Sequence, residues 1–280
     1  MRGGVDWYNG GMEHTTLHLL YSRFWHKFLY DLKLVPTTEP YMKRTSHGMI
    51  LAEGGEKMSK SRGNVINPDD IIKSYGADTL RLYEMFMGPF DQAVVWSTES
   101  IIGPRRFLEK VWRVGIKIVN NPSQPSQGEG ITNLLHKTIK KVSEDIENMN
   151  FNTAISSMMV LVNEMEKTEN ISVKDFKMFL QILAPFAPHM TEELWQMLNH
   201  PSQPSQGEGV NSIHLSPWPK YDKKKIIDDK IKMAIQVNGK VRSEIEINKD
   251  LSDSNIKPWI EGKEIKRLIY VKGRIFNIVV

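Results

Sequence analysis

Residues 57–64 read Lys57-Met58-Ser59-Lys60-Ser61-Arg62-Gly63-Asn64, with Gly54-Gly55 just before and Asn67-Pro68 just after. Two lysines three apart, with small hydroxyls between and beside them and glycines on both flanks, make a mobile cationic clamp. Such a clamp suits a phosphate chain whose negative charge grows as a bond breaks. The same composition also suits an ordinary basic surface loop, and the residues alone leave both readings open. Around it, residues 41–66 are short-patterned and Gly-rich, which predicts loop and short strand. Asn67 is placed to cap a helix opening at Pro68, where a fixed φ and a missing N–H cost nothing. The spacing predicts short helices over Pro68–Ser74 and Ala77–Phe86.

Upstream, a Gly-Gly loop leads into a long helix predicted over Met12–Leu34, with Leu17, Leu20, Tyr21, Phe24 and Phe28 at helical spacing. Downstream, apolar periodicity predicts five consecutive helices: Pro104–Asn120, Ile131–Met149, Phe151–Glu166, Val173–Ala184 and Thr191–Leu198. Five helices with little strand signal read as a helical bundle. After Pro219 the pattern changes. Ile231, Met233, Ile235 and Val237 alternate with polar residues, as do Val241, Ser243, Ile245 and Ile247, around Asn238-Gly239. Asn-Gly between two alternating runs signals a hairpin, because its tight turn needs φ > 0 twice. A short helix near Ser254–Glu261 and strands at Leu268–Val271 and Ile275–Val279 complete a small ββαββ tail. On strict alternation, Lys240 and Arg242 face away from Val241, Ser243 and Ile245.

Charge follows the same division. Residues 220–280 hold 12 Lys and 3 Arg against 5 Asp and 4 Glu, a net +6, so the preceding residues sum to −2. A basic tail suggests a polyanionic partner, nucleic acid first, although a Lys-rich soluble domain has the same composition. The chain has no cysteine. Disulfides, thiol nucleophiles and Cys-ligated metals are excluded, and the cytoplasm is the expected compartment. No apolar run reaches the length of a membrane span, so no membrane partner is expected. The opening MRGGVDWYNGG has no apolar core, so no signal peptide is expected.

The nonapeptide PSQPSQGEG occurs at Pro122–Gly130 and again at Pro201–Gly209. It is polar, rich in Pro and Gly, and without an apolar face, so both copies are expected to be surface insertions that the fold tolerates. Two distant copies do not make a solenoid.

Taken in order, Lys57–Ser61, Gly63-Asn64, Asn67-Pro68 and Tyr75-Gly76-Ala77-Asp78-Thr79-Leu80-Arg81 resemble the second signature region of class I aminoacyl-tRNA synthetases. Asp6-Trp7-Tyr8-Asn9-Gly10-Gly11-Met12-Glu13-His14, running on through Leu17–Phe24, resembles the leucyl-tRNA synthetases of that class. So do Phe151–Ile155, Leu183–His189 and Gln236–Arg242. The resemblance covers residue 5 to the end, apart from the two insertions, and it follows the C-terminal portion of that family only.

The resemblance implies an α/β half-Rossmann catalytic segment over 1–103, an all-α anticodon-binding-like bundle over 104–220, and a small α+β tRNA-contacting domain over 221–280. It implies roles as well. Lys57 and Lys60 would be catalytic, steadying pyrophosphate as it leaves ATP. Gly11, Glu13, His14 and Met49 would join them in binding ATP, with Mg2+ accompanying that substrate and no bound organic cofactor. Tyr8, His14 and His18 would line a leucine pocket. Lys240, Arg242, Lys272 and Arg274 would touch the tRNA for leucine. The residues agree in part: a Gly-Gly step before a helix lets a ligand reach backbone donors, and His14 and His18, at i and i+4, would share one helix face.

A histidine pair at that spacing can also bind zinc. Thr15 stands where the H-E-x-x-H pattern needs Glu, and no third ligand is in register, so no metal site is expected. His47, His136, His189, His200 and His214 read as structural or surface residues, and Asp78 with Arg81 reads as a fold-holding ion pair. No H-x-G-H signature, editing domain or leucine-specific insert occurs in these 280 residues. The function implied is ATP-dependent joining of leucine to its tRNA, completed by a separate N-terminal half carrying the first signature motif and the editing domain. The alternative is a non-catalytic tRNA-binding fragment or an inactive truncated gene product. A parallel half-sheet would leave an apolar edge and face uncovered.

Overall fold

The computed structural model describes residues 4–121, 129–199, 212–226, 230–248, 266–271 and 275–279. The chain divides into two compact units, Met1–Tyr221 and Asp222–Val280.

The first unit opens with a β–α–β step. Strand β1 (Val5–Gly11) runs parallel to β2 (Tyr41–His47), in register from Val5 with Tyr41 to Gly11 with His47. Parallel neighbours need a crossover, and helix α1 (His18–Asp31) supplies it. The long helix predicted over Met12–Leu34 is shorter and divided. Met12–Thr15 form a 3₁₀ turn, and Leu17 leaves helical geometry at φ −114°, ψ −104°. The β-branched pair Thr15-Thr16, stiff at χ1, lies at that break. At the other end, Lys33 adopts φ +59° and stops the helix.

No residue of α1 is buried. The apolar stripe read from its spacing is real but faces outward: Leu20, Phe24 and Phe28 are 62, 72 and 47% exposed. A patch this large normally has a partner.

Strand β3 (Ile50–Leu51) pairs in parallel with β4 (Val94–Val95). Between them lie α2 (Pro68–Tyr75) and α3 (Ala77–Phe86). Asn67 caps α2, its Oδ1 accepting the Asp69 N–H at 3.2 Å. The two faces of α3 serve two cores. Leu80 and Tyr83 pack with Ile71, Trp96 and Ile101, while Leu82 enters the core of the bundle that follows.

That bundle comprises α4 (Ile102–Asn120), α5 (Glu129–Glu147), α6 (Phe151–Lys167), α7 (Val173–Leu183) and α8 (Pro188–Asn199). On α4 the buried residues Phe107, Leu108, Val111, Val114, Gly115 and Ile118 follow the 3.6-residue period. Phe176, Phe179, Phe186, Leu135, Ile155 and Leu161 fill the centre. Each such burial contributes roughly 1.5–3 kcal/mol before entropy is counted. Helix α8 starts at Pro188, three residues before the Thr191 start expected from sequence. Thr191 is instead a buried first-turn residue whose hydroxyl donates to the Ala187 carbonyl at 2.9 Å. The first insertion also ends earlier than its repeat suggests, because Glu129 and Gly130 already belong to α5. Residues 122–128 and the second copy, Pro201–Gly209, lie outside the described residues.

The second unit is a four-stranded sheet in the order β6-β5-β8-β7. Strands β5 (Lys230–Val237) and β6 (Lys240–Asn248) form the expected hairpin, with Asn238 and Gly239 at φ +49° and +78°. Strands β7 (Arg267–Val271) and β8 (Ile275–Val279) are antiparallel to each other, and β8 is parallel to β5. The alternation expected along β6 fails at one place. The pairing passes from Gln236 with Val241 to Ile235 with Ser243, so Arg242 is an extra, bulged residue. Val241 is consequently 58% exposed, like its neighbours Lys240 and Arg242. The helix expected near Ser254–Glu261 lies outside the described residues.

Candidate active site

The parallel register of β1 and β2 brings Gly10-Gly11 beside Ser46-His47, and the 3₁₀ turn Met12–Thr15 starts there. Tyr8 near the end of β1 meets His18 at the start of α1. The Tyr8 hydroxyl lies 3.0 Å from His18 Nδ1, and the two rings stack 5.5 Å apart. His14 meets His18 edge-on at 6.5 Å. Tyr8, His14 and His18 therefore form one cluster, but not through a shared helix face. His14 sits in the 3₁₀ turn and only His18 in α1, so the i, i+4 relation does not join them. Tyr41 packs on Tyr8 at 4.5 Å, and its hydroxyl donates to Ser22 Oγ at 3.0 Å. Among the described residues, no group of three or more His, Asp or Glu side chains could hold a metal ion.

A cavity of about 700 Å³ opens next to this cluster, lined by Met12, Glu13, His47, Gly48, Met49, Phe90, Gln92 and Phe151 among others. It brings together Glu13 and Met49 from the sequence reading. Gly11 is adjacent, and a Cβ there would run into the Glu13 carboxylate. The Glu13 carboxyl is held below its ordinary range. The main cause is a hydrogen bond from its own backbone amide, which outweighs the upward push of burial; smaller electrostatic contributions come from His14, Lys57 and His47.

The Lys57–Asn64 loop leaves the sheet through a bridge between Leu51 and Lys57. Met58 packs against the core formed by Ile71, Leu80, Tyr83, Trp96 and Ile101. Lys60–Arg62 make one 3₁₀ turn, closed by Gly63 at φ +65°. Arg62 is engaged by Glu56 at 2.8 Å. The Lys57 and Lys60 ammonium groups have no hydrogen-bond or ion-pair partner among the described residues. The loop therefore presents two unpaired cations on a structured base.

Sequence reasoning missed several residues. His47, read as structural or surface, lines the cavity with its ring 6.3 Å from Phe90. Its adjacency to Gly48 was the only local signal. Phe90 and Gln92 arrive from a distant segment that no local pattern marks; Phe151 opens one of the stretches that carry the family resemblance, but nothing local places it at the cavity. Asp78 and Arg81 do not pair with each other. Asp78 bonds the start of α8 and Arg81 donates to the Pro185 carbonyl at 2.8 Å, so each fastens α3 to the bundle separately. Asp78 and His189 also line a second cavity of about 630 Å³, with Arg105 and Trp112. In the second unit Lys240 and Arg242 are exposed; Lys272 and Arg274 lie outside the described residues.

Residues 18–97 match the family of tRNA synthetases class I (I, L, M and V), and residues 129–257 match the anticodon-binding domain of tRNA ligase. The chain belongs to the class I aminoacyl-tRNA synthetases. Within that class its likeness is to the leucine enzymes. It is 51% identical over 286 residues to the leucine–tRNA ligase of Alkaliphilus oremlandii, a match covering 99% of this chain and 34% of that protein. The chain thus spans about a third of the length of this curated relative. The agnB2 leucyl-tRNA synthetase of Agrobacterium radiobacter K84, solved as a ternary complex with tRNA and LeuAMS, superposes over 98% of this chain with a TM-score of 0.75 at 28% identity. This chain covers 38% of that one. The methionyl-tRNA synthetase of Mycobacterium tuberculosis, solved with methionyl-adenylate, matches 68% of this chain and 43% of its own at a TM-score of 0.54 and 17% identity, a likeness of fold alone.

Proposed function

We propose that this chain supplies the carboxyl-terminal part of a leucine–tRNA ligase, acting with an amino-terminal portion that carries the first signature motif and the editing domain. The observation that carries the reading is one site. Glu13, Met49 and Ile50 line a single cavity, and the loop that bridges back to the neighbouring Leu51 presents two unpaired lysines. In this reading residues 1–103 are the second half of the nucleotide-binding fold, residues 104–220 the bundle that meets tRNA, and residues 221–280 a basic tRNA-contacting domain. The uncovered aromatic face of α1 and the relative's threefold greater length support an amino-terminal partner for residues 1–103. The cysteine-free, charged composition fits the cytoplasm. Among the described residues no helix is long and apolar enough to cross a membrane.

The chemistry needs no enzyme nucleophile. The leucine carboxylate attacks the α-phosphorus of ATP, the bond to pyrophosphate breaks, and a tRNA 3′ hydroxyl later takes the leucyl group from AMP. Glu13 and the Met49 backbone hold the adenosine. Lys57 and Lys60 stabilise charge as it builds on the departing pyrophosphate, where a preorganised cation acts most strongly. Tyr8 fixes the His18 ring, so that His14 and His18 wall a side-chain pocket. Magnesium enters with ATP as part of the substrate. The described residues offer it no ligand cluster.

The test is ATP–pyrophosphate exchange with leucine, run on the 280-residue chain alone and mixed with the amino-terminal two thirds of the Alkaliphilus enzyme. The chain alone should stay at background and the mixture should exchange. In the mixture Lys60→Ala should slow adenylate formation by the equivalent of about 2.7–4 kcal/mol while the KM for leucine holds. Exchange by the chain alone would overturn the two-part reading. No exchange in the mixture, with tRNA still bound, would favour a tRNA-binding fragment.

A further inference from the structure

We infer that Asn64 is a positioning residue for the Lys57/Lys60 clamp, holding the loop in the shape that aims both ammonium groups. The inference rests on the function proposed above and adds a residue to it.

The loop has few ties to the rest of the fold. Its upstream end is anchored by the Leu51–Lys57 bridge and by Met58 in the small core. Beyond Met58 the chain turns outward. Ser59 is fully extended at φ −149°, ψ 145°, and Lys60–Arg62 make a single 3₁₀ turn. Inside that turn the Arg62 N–H donates to the Ser59 carbonyl and the Gly63 N–H to the Lys60 carbonyl, each at 3.2 Å. One turn of this kind is weak by itself, since its bonds are few and poorly aligned.

Asn64 closes the loop with both ends of its amide. Its Oδ1 accepts the Ser59 N–H at 2.8 Å, and its Nδ2 donates to the Lys57 carbonyl at 3.3 Å. These two backbone groups bracket Met58 and lie on the segment that joins the two lysines. One planar side chain therefore fixes the path from Lys57 to Lys60. Gly63 makes this possible: its φ of +65° turns the chain back so that Asn64 reaches across the loop, a conformation a β-carbon would disfavour. The remaining cation of the loop, Arg62, is bonded to Glu56 at 2.8 Å across the neck. The amide tie leaves both lysine side chains unpaired, which is the condition for a clamp that closes on a growing anion without reorganising first.

Two readouts test this. The first is site-resolved hydrogen exchange on the 280-residue chain. Asn64→Ala should raise exchange at the Ser59 amide with an unchanged melting midpoint, whereas Asn64→Asp, which keeps the acceptor, should leave Ser59 protected. The second is steady-state adenylate formation by the two-part mixture. Asn64→Ala should lower kcat by about 10- to 100-fold, the scale of a displacement near 1 Å, with the KM for leucine within about twofold. Asn64→Asp should recover part of the loss. Unchanged Ser59 exchange in Asn64→Ala, or faster exchange with unchanged kcat, overturns the positioning role and leaves the proposed function standing. A wild-type mixture that shows no exchange overturns the proposed function, and the positioning role with it.

Discussion

Asp78 on α3 and His189 on α8 are joined across 111 residues of sequence: Asp78 Oδ1 lies 2.8 Å from His189 Nδ1, while Oδ2 accepts the Met190 N–H at 2.8 Å. Asp78 is 8% exposed. A helix N-terminus leaves several N–H groups without intrahelical partners, and its dipole favours an anion there. Pro188 removes one of those donors, and Asp78 takes two of the others. The segment carrying Lys57 and Lys60 is therefore fastened to the bundle through α3, by a cap borrowed from another helix rather than by the ion pair that the spacing of Asp78 and Arg81 suggests.

Removing this cap should weaken the whole first unit. Asp78→Ala removes a charged acceptor from the partly buried start of α8 and should cost about 1–3 kcal/mol in urea unfolding of the 280-residue chain. Asp78→Asn keeps an acceptor for Met190 and should cost less. Arg81→Ala, losing one exposed bond to the Pro185 carbonyl, should cost about 0.5–1.5 kcal/mol. If Arg81→Ala proved the more damaging of the two alanines, the borrowed cap would not be the main tie.

Two glycines at the cavity should respond differently. Gly48 donates its N–H to the Phe90 carbonyl at 2.7 Å, and a Cβ there would collide with the Gln92 backbone. Backbone cannot step aside cheaply, so Gly48→Ala should destabilise the chain by about 1–3 kcal/mol, the usual cost of overpacking. A Cβ on Gly11 meets first the Glu13 carboxylate, the mobile end of a side chain. Gly11→Ala should leave the melting midpoint near wild type while weakening ATP binding in the two-part enzyme. Calorimetry of both variants separates the outcomes; equal stability loss at the two positions would contradict the geometry.

Glu39 predicts a pH dependence. The Arg23 hydrogen bonds, and then Lys27, draw its carboxyl down to about 2 against the upward push of burial. The folded pKa is below that of an unfolded carboxyl, near 4.3. The contribution is therefore complete above the unfolded value and lost as pH falls toward about 2. The groups are exposed and screened, so the effect is small. Thermal melts of wild type and Glu39→Gln at low salt should differ slightly at pH 6 and converge near pH 2, and the gap at pH 6 should shrink in high salt. A gap that widened on acidification would reverse the assignment.

What the sequence makes legible here is what short range decides. The Asn67 cap, the Ala77–Phe86 helix and the Asn238-Gly239 turn each follow from a few neighbouring residues, and each forms as read. The Lys57–Ser61 loop, Glu13 and Met49 were legible through the family resemblance of long motifs. Whatever depends on a distant partner was not legible. Helical spacing in α1 says that Phe24 and Phe28 share a face, but not that none of the described residues covers it. The pairing of Asp78 with α8, and of Gly48 with Phe90 and Gln92, is set by packing between elements far apart in sequence. Alternation along β6 fails at Arg242 because a one-residue bulge is invisible to a period-2 count.

In the basic tail, sheet register places several cations at one end of the second unit. Lys240 pairs with Val237, Val237 with Ile278, and the neighbouring Val279 with Arg267, while the Lys266 N–H donates to the Val279 carbonyl. Lys240, Arg242, Lys266 and Arg267 therefore gather at the hairpin end of the sheet, all exposed. The turn beneath them is rigid, since the Asn238 N–H donates to the Ile278 carbonyl at 2.9 Å and the Gly239 N–H to Asn277 Oδ1 at 3.1 Å. A cluster of this kind should hold tRNA phosphates without reading bases. Its affinity should then fall with salt by roughly 0.9 log units per log unit of salt for each duplex phosphate neutralised. The experiment is a salt titration of binding between the 280-residue chain and a leucine tRNA transcript, beside a variant carrying Lys240→Ala, Arg242→Ala and Arg267→Ala. The variant's slope should be smaller by about one for every phosphate it no longer neutralises, with binding at low salt weakened across unrelated tRNAs alike. Equal slopes would place the tRNA-binding surface away from this end of the sheet and leave the tail's charge as a device for solubility.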